Sequence, residues 1–271
     1  MDHIGIPVSR LILLVFIGGL LTACGKSRAI PDIPPDELYR RATVSMRSGN
    51  FESAIRQFRT IQARFPFSEY AIQSHLDLIY TLVRAEDPES AIDEADRFIE
   101  ENPRHPNIDY AYYMRGLAFY GNDETNFLER WFKTDIAKTD VTDARTSFQN
   151  FRQQLELYPN SKYAADARQR MIALRNRIAR HELYVADYYM RREAYVSALN
   201  RAKFVVEELP NTPSTIPALQ VMAQAYRKLD LVELAEDIET VIVENGVTIE
   251  KPKRKKRRRF RYQNRDTDEA I

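Results

Sequence analysis

Ala54-Ile55-Arg56-Gln57-Phe58, followed by Pro66, decides how this chain folds, because its pattern returns along the sequence. Ala91-Ile92-Asp93-Glu94-Ala95 precedes Pro103, Ser147-Phe148-Gln149-Asn150-Phe151 precedes Pro159, and Ala198-Leu199-Asn200-Arg201-Ala202 precedes Pro210. Each proline stands twelve residues after the small residue that opens its copy. A fifth copy, Ala235-Glu236-Asp237-Ile238-Glu239, lacks the proline and runs to Gly246. Twelve residues before the small residue lies another compact one: Ala42, Ile79, Ala186 and Ala223. In the third copy the counterpart is Gly116, 31 residues before Ser147 and so nineteen too early. Self-similarity at a fixed spacing marks an array of stacked units.

Apolar residues recur at intervals of three and four throughout, with no strand-type alternation. Residues 122–245 contain no glycine and 160–209 no proline. The body is therefore expected to be all-α. Its spacing resembles the tetratricopeptide repeat, in which two antiparallel helices approach closely where small side chains face each other. Tyr112, Gly116 and Phe119 fit that repeat's first-helix pattern, as do Tyr189 and Tyr226. Residues 34–246 then form a solenoid of about five helix pairs. Proline ends each second helix because it cannot supply the next amide donor. The excess in the third repeat is an insertion at about 122–142, holding Phe127, Phe132 and the only tryptophan, Trp131. A loop this long inside a compact array is usually functional or disordered. It either contacts a partner, through Trp131, or lines the groove, or it simply folds back on the solenoid.

The ends differ from the body. Of 271 residues, 40 are Lys or Arg and 39 Asp or Glu, but residues 251–271 alone carry +7 and residues 1–23 sum to zero, leaving 24–250 at −6. A mildly acidic body with a basic tail, 247–271, has no positive stripe for nucleic acid. Its available counter-charges are lipid head groups, lipopolysaccharide phosphates or an acidic partner, and it also reads as a plain solvated, disordered tail. Residues 11–23 form an uncharged apolar run about 20 Å long as a helix, too short for the ~30 Å hydrocarbon layer. With Arg10 before it, residues 1–23 read as a signal peptide. Leu21-Thr22-Ala23-Cys24-Gly25 resembles the lipobox of bacterial lipoproteins. That resemblance implies cleavage before Cys24, a diacylglycerol on its thiol and an acyl chain on its new amino group. Residues 24–33 would be a lipidated tether, and Gly25 resembles the outer-membrane sorting case.

No chemistry is legible. HExxH, GxSxG, P-loop and GxGxxG patterns are missing, and one cysteine excludes an intramolecular disulfide or a thiolate zinc site. His75, His105 and His181 lack acids at ligand spacing and read as packed or surface residues. Glu100-Glu101 and Glu207-Glu208 are adjacent on helices, pointing about 100° apart. The chain is therefore expected to be a binding scaffold, with no enzyme activity, metal or cofactor beyond lipid on Cys24. In this repeat class the first helices line the concave side. With Ala42, Ile79 and Gly116 equivalent, that face carries Asp36, Tyr39, Thr43 and Arg47; Gln73, Leu76, Tyr80 and Arg84; and Tyr110, Tyr113, Leu117 and Tyr120. Tyrosine offers area and a hydrogen-bonding tip, and arginine takes a carboxylate in two bonds. Tyr39, Arg47, Tyr80, Arg84, Tyr110 and Tyr113 are thus candidate contacts to an extended, aromatic-rich peptide. The competing reading of each tyrosine is filler between repeats.

Pro34-Pro35-Asp36-Glu37-Leu38-Tyr39, Phe65-Pro66-Phe67, Leu76-Asp77-Leu78-Ile79-Tyr80, His105-Pro106-Asn107-Ile108-Asp109-Tyr110, Met114-Arg115-Gly116 and Tyr158-Pro159-Asn160-Ser161 resemble the BamD family of the β-barrel assembly machinery. The resemblance covers about residues 20–246. It implies a periplasmic-face, lipid-anchored outer-membrane scaffold that binds unfolded outer-membrane proteins through its N-terminal repeats. It also implies docking of the central barrel subunit, through a POTRA domain, and of other assembly lipoproteins on the C-terminal repeats. On that basis Arg201 is the candidate contact to the barrel subunit. The rival is another repeat-bearing envelope lipoprotein, coordinating cell-wall synthesis or division.

Overall fold

The computed structural model describes residues 33–120 and 140–247. They contain ten helices and no strand: α1 (Pro35–Arg47), α2 (Phe51–Arg64), α3 (Glu69–Arg84), α4 (Pro88–Glu101), α5 (Ile108–Ala118), α6 (Thr142–Leu157), α7 (Ala164–Arg191), α8 (Tyr195–Glu208), α9 (Thr215–Lys228) and α10 (Val232–Glu244). The expected signal peptide, the tether up to residue 32, the insertion up to residue 139 and the basic tail from residue 248, with Cys24 and Trp131, lie outside the described residues, and Thr142, expected at the end of the insertion, opens α6.

Local chemistry sets the helix limits. Pro35 and Pro88 occupy the first turns of α1 and α4, where a missing N–H costs nothing, and Asn50 and Asp87 cap α2 and α4 by accepting the Ser53 and Ser90 N–H groups. The second helices end two residues before their prolines, a step earlier than loss of the proline N–H would require. Phe65, Asn102, Tyr158 and Leu209 still donate N–H to the carbonyl four residues back. Their φ/ψ pairs, −131/50, −129/54, −132/60 and −126/48, show each turned out of the helical region. The proline ring's steric demand on the preceding residue accounts for this shared stop.

Three-residue turns join α1 to α2, α3 to α4, α7 to α8 and α9 to α10. The middle residue of each, Gly49, Glu86, Glu193 and Asp230, has φ between 58 and 80°. The residue after it donates N–H to the carbonyl five back: Asn50 to Ser45, Asp87 to Leu82, Ala194 to Tyr189 and Leu231 to Tyr226, at 2.9 to 3.1 Å. This is the left-handed Schellman closure of a helix. It reverses the chain within a few residues and lays the second helix antiparallel on the first.

The repeat grid is the core. Ala54, Ala91, Ser147, Ala198 and Ala235 are all fully or almost fully buried, as are Ala42, Ile79, Ala186 and Ala223 opposite them. The third pair forms despite its 31-residue separation: Ser147 Oγ donates to the Gly116 carbonyl at 2.7 Å, and Asn150 Nδ2 to the Arg115 carbonyl at 3.2 Å. Consecutive helices pack throughout, and first helices also touch each other, α1 with α3, α3 with α5, and α7 with α9. The first helices therefore form the inner layer. One element exceeds the repeat arithmetic: α7 has 28 residues, about 42 Å. It packs on both α6 and α8, burying Ala164, Ala167, Leu174 and Ile178 in its N-terminal half and Ala179, Glu182 and Ala186 further on, and so joins repeats three and four in one rod.

A Cβ on Gly116 would lie 2.3 Å from the ring of the fully buried Phe151. Gly116→Ala should destabilise the chain by about 1–3 kcal/mol, the usual cost of overpacking, as a lowered urea midpoint with unchanged slope. An unchanged midpoint would show that the ring can yield. Nothing stands within 4 Å of a Cβ at Gly49, so Gly49→Ala tests backbone conformation alone. It should cost about 1 kcal/mol, while Glu86→Gly at the equivalent turn should cost nothing or stabilise slightly. Equal signs for the two substitutions in thermal melts would contradict the shared turn.

Candidate functional site

Arg47 and Arg84 end α1 and α3, where a cation also offsets the negative end of the helix dipole. Each stands five residues after the small inner residue of its repeat, and Arg191 and Lys228 repeat that placement in α7 and α9. Because α1, α3 and α5 lie in contact, Arg47, Tyr80, Arg84 and Tyr110 meet around one open cavity of about 560 Å³, with Met46, Phe51 and Asp77. A second cavity of about 270 Å³, lined by Gln73, Leu76, Asp77, Asn107, Tyr110, Lys162 and Tyr163, shares Asp77 and Tyr110 with it. The two form a trough across repeats one to three and onto the N-terminus of α7. The Arg84 guanidinium lies 5.9 Å over the Phe51 ring. Arg47 and Arg84 are exposed and form no ion pair among the described residues.

Asp77 occupies the junction. Tyr39 donates its hydroxyl to one carboxylate oxygen at 2.6 Å, and Gln73 Nε2 donates to the other at 3.1 Å. Burial raises the Asp77 pKa above the ordinary carboxylate value despite these donors. Burial, then the hydrogen bond to Asp77, raises that of Tyr39. Tyr39 thus ties α1 to α3 beneath the trough, with its ring 5.4 Å from Tyr70 and 6.1 Å from Phe58. Tyr110 is raised chiefly by burial, and its ring lies 5.4 Å from Tyr163.

Tyr113 departs from the expected face. It is 8% exposed, stacks on Tyr163 at 4.7 Å and 14°, and donates its hydroxyl to Asp166 at 2.5 Å. Burial, reinforced by that bond, pushes its pKa up to about 12. Asp166 is held low because hydrogen bonds from Arg170 and Tyr113 outweigh the burial that would raise it. Tyr113 therefore fixes α5 against α7 from a buried position, and it lines neither cavity of the trough. Leu76 is likewise buried, and its neighbour Asp77 takes the open position. Asp77, Phe51, Lys162 and Tyr163 escaped the sequence reading. Helical spacing offered no decision for Asp77, since Leu76 and Asp77 both fall within the face set by Gln73, Tyr80 and Arg84. Tyr163 lies outside any first helix of repeats one to three.

Arg201 on α8 is half exposed, with Nη1 3.1 Å from Glu182 Oε2; Arg145 of α6 pairs with the other oxygen of the same carboxylate. Glu182 is almost fully buried, so two cations from flanking helices are what make its burial tolerable. A further cavity of about 580 Å³ between α2, α3 and α4 is lined by Arg59, His75, Glu94 and Arg97. Its charges are already matched: Glu94 faces Arg97, Arg59 and His75, whose Nε2 donates to the Glu94 carbonyl at 3.0 Å. His75 also packs edge-on against Phe98 at 5.3 Å. Among the described residues no three His, Cys, Asp or Glu side chains are placed to hold a metal, and no helix is long and apolar enough to cross a membrane.

The outer membrane protein assembly factor BamD of Vibrio cholerae is 37% identical over 218 residues, covering 80% of this chain and 90% of the relative. The BamD proteins of Neisseria gonorrhoeae and Haemophilus influenzae are each 34% identical, over 245 and 244 residues, covering 88% of this chain and 91% and 93% of theirs. The family profile described as YfiO, outer membrane lipoprotein, matches residues 31–241, which span all but the last turn of the described solenoid. With that match running into all five helix pairs and across the trough that the first three build, the chain belongs to the YfiO/BamD family of outer membrane lipoproteins.

Proposed function

We propose that this chain is a non-enzymatic scaffold of outer-membrane protein assembly, anchored by lipid on Cys24 to the periplasmic face of the outer membrane. In this reading the trough of repeats one to three receives an extended, aromatic-rich segment of an unfolded outer-membrane protein. The observation that carries it is the convergence of Arg47, Tyr80, Arg84 and Tyr110, from three helices, on one open cavity. Half-buried tyrosine rings supply contact area at low entropic cost, and two exposed guanidinium groups suit a peptide carboxylate. Tyr39 acts beneath that surface, holding α1 against α3 through its hydrogen bond to Asp77, which itself lines the trough. The C-terminal repeats dock the central barrel subunit, through its POTRA domain, and other assembly lipoproteins. Arg201 is the proposed contact to the barrel subunit, pre-positioned by Glu182 with one side open to solvent. Trp131 in the insertion is a second proposed partner contact. No bound cofactor or metal has a part, and the lipid on Cys24 is covalent.

The double substitution Arg47→Ala with Arg84→Ala should weaken binding of an aromatic-ended barrel peptide about ten- to hundredfold, the loss expected of a charge-assisted contact. Tyr113→Phe should lower thermal stability and leave that affinity unchanged. Fluorescence titration of a labelled peptide reads both, and full affinity in the double mutant would remove the trough from the account. For the anchor, Cys24→Ser should leave the circular dichroism of the helices intact and release the chain from membranes on fractionation. Continued sedimentation with membranes, as the isolated protein, would point to another attachment. Co-purification on the lipidated chain separates this reading from a role in cell-wall synthesis: recovery of a cell-wall synthase without a large barrel protein would overturn it.

A further inference from the structure

The outer face of α10 is both apolar and acidic. Inside the array every second helix is covered by the first helix of the next repeat, and its apolar positions show it. One residue after the small grid residue stand Ile55, Ile92, Phe148 and Leu199, and eight after it stand Ile99, Leu155 and Val206 in repeats two to four, all partly buried against the core. In α10 no following helix exists among the described residues, and only α9 packs against it substantially. The first of these positions has become the exposed Glu236, as a terminal unit requires for solubility. The second is still apolar: Val243 is 56% exposed, with Val232, 48% exposed, on the same side of the helix, while Leu234 and Val241, 44 and 40% exposed, flank the acids on the other side and Leu231, 44% exposed, precedes the helix.

Charge is equally one-sided. Residues 229–250 contain seven acids and no Lys or Arg, and residues 251–265, directly after them, contain ten Lys or Arg and no acid. Of the acids on α10, Glu239 is taken in two bonds by Arg227 of α9. Glu233, Glu236, Asp237 and Glu244 are exposed and form no ion pair among the described residues. Phe260 and Tyr262 interrupt the basic run, matching the apolar part of the face.

We propose that the outer face of α10 is the seat of the chain's own basic segment, residues 251–265. Reach is sufficient. α10 is 13 residues, about 20 Å, whereas the thirteen residues from Val247 to Phe260 extend to about 43 Å. A segment that turns back after residue 250 is thus long enough to cover the helix to its start, which would bring Phe260 and Tyr262 to Leu231 and Leu234. The cations lie beside Glu244, Asp237, Glu236 and Glu233. The seat closes the open end of the solenoid, and any partner that docks on α10 must displace the tail or use the acids left free. This inference is independent of the peptide trough and survives its failure.

Backbone hydrogen exchange of α10 tests it, comparing the full chain with one ending at Val247. At 0.1 M salt the α10 amides of the full chain should exchange about fivefold slower, the size of two or three exposed ion pairs acting together. The difference should shrink at 1 M, where the screening length falls from roughly 10 Å to 3 Å. With Glu233→Gln, Glu236→Gln, Asp237→Asn and Glu244→Gln combined, removing the tail should no longer change the rates, a comparison that holds even where the variant helix frays. Equal α10 exchange with and without the tail in the unaltered chain overturns the proposal. So does protection that appears only on adding phosphatidylglycerol vesicles, which would assign the segment to lipid phosphate.

Discussion

The structure depends on how closely paired helices approach one another at one position per repeat. Ala54, Ala91, Ser147, Ala198 and Ala235 face Ala42, Ile79, Gly116, Ala186 and Ala223, and the added Cβ contact at Gly116 shows how little room is left. Protein interiors tolerate neither voids nor excess volume, so a small side chain here sets the distance between two backbones for the length of both helices. Ser147 adds a directional tie, since its hydroxyl satisfies the Gly116 carbonyl inside the contact. That contact holds the third repeat together across a long intervening segment.

Close pairing determines where the first helices stand, and their mutual contact makes the trough. Arg47 and Arg84 are repeat-equivalent residues, each at a helix C-terminus where its charge is locally favourable. The array brings them to one cavity without any dedicated loop. A site made from repeat-equivalent positions inherits the rigidity of the stack, so little protein ordering would be needed for any ligand it holds. The anchors beside it, Tyr39 on Asp77 and Tyr113 on Asp166, bind neighbouring repeats together, while Tyr80 and Tyr110 line the cavity.

The C-terminal repeats show a different use of charge. Glu182 is buried because Arg145 and Arg201 neutralise it from two sides, so Arg201 is both part of an internal network and partly open. At α10 the acids outnumber their partners and the charge of the array is left unbalanced at its end. An array of stacked units must solve the problem of its last exposed face, and here polar replacement is incomplete.

Sequence alone established the repeat, because small residues and prolines at a constant offset impose the same pairing and stop at each copy. It also established the all-helical class and the inner placement of Arg47, Tyr80, Arg84 and Tyr110. Helix period could not separate Leu76 from Asp77, since both lie within one helical face and only a neighbour's surface determines which is covered. Nor could it assign Tyr113 to the interior, because Tyr163, more than forty residues away, closes over it from the start of α7. The length of α7 was equally hidden, as its first half obeys packing against α6 and not the repeat spacing. Periodicity reports the direction of a side chain from its own helix, whereas exposure depends on which other helix stands in that direction, and that is decided only when the repeats are stacked.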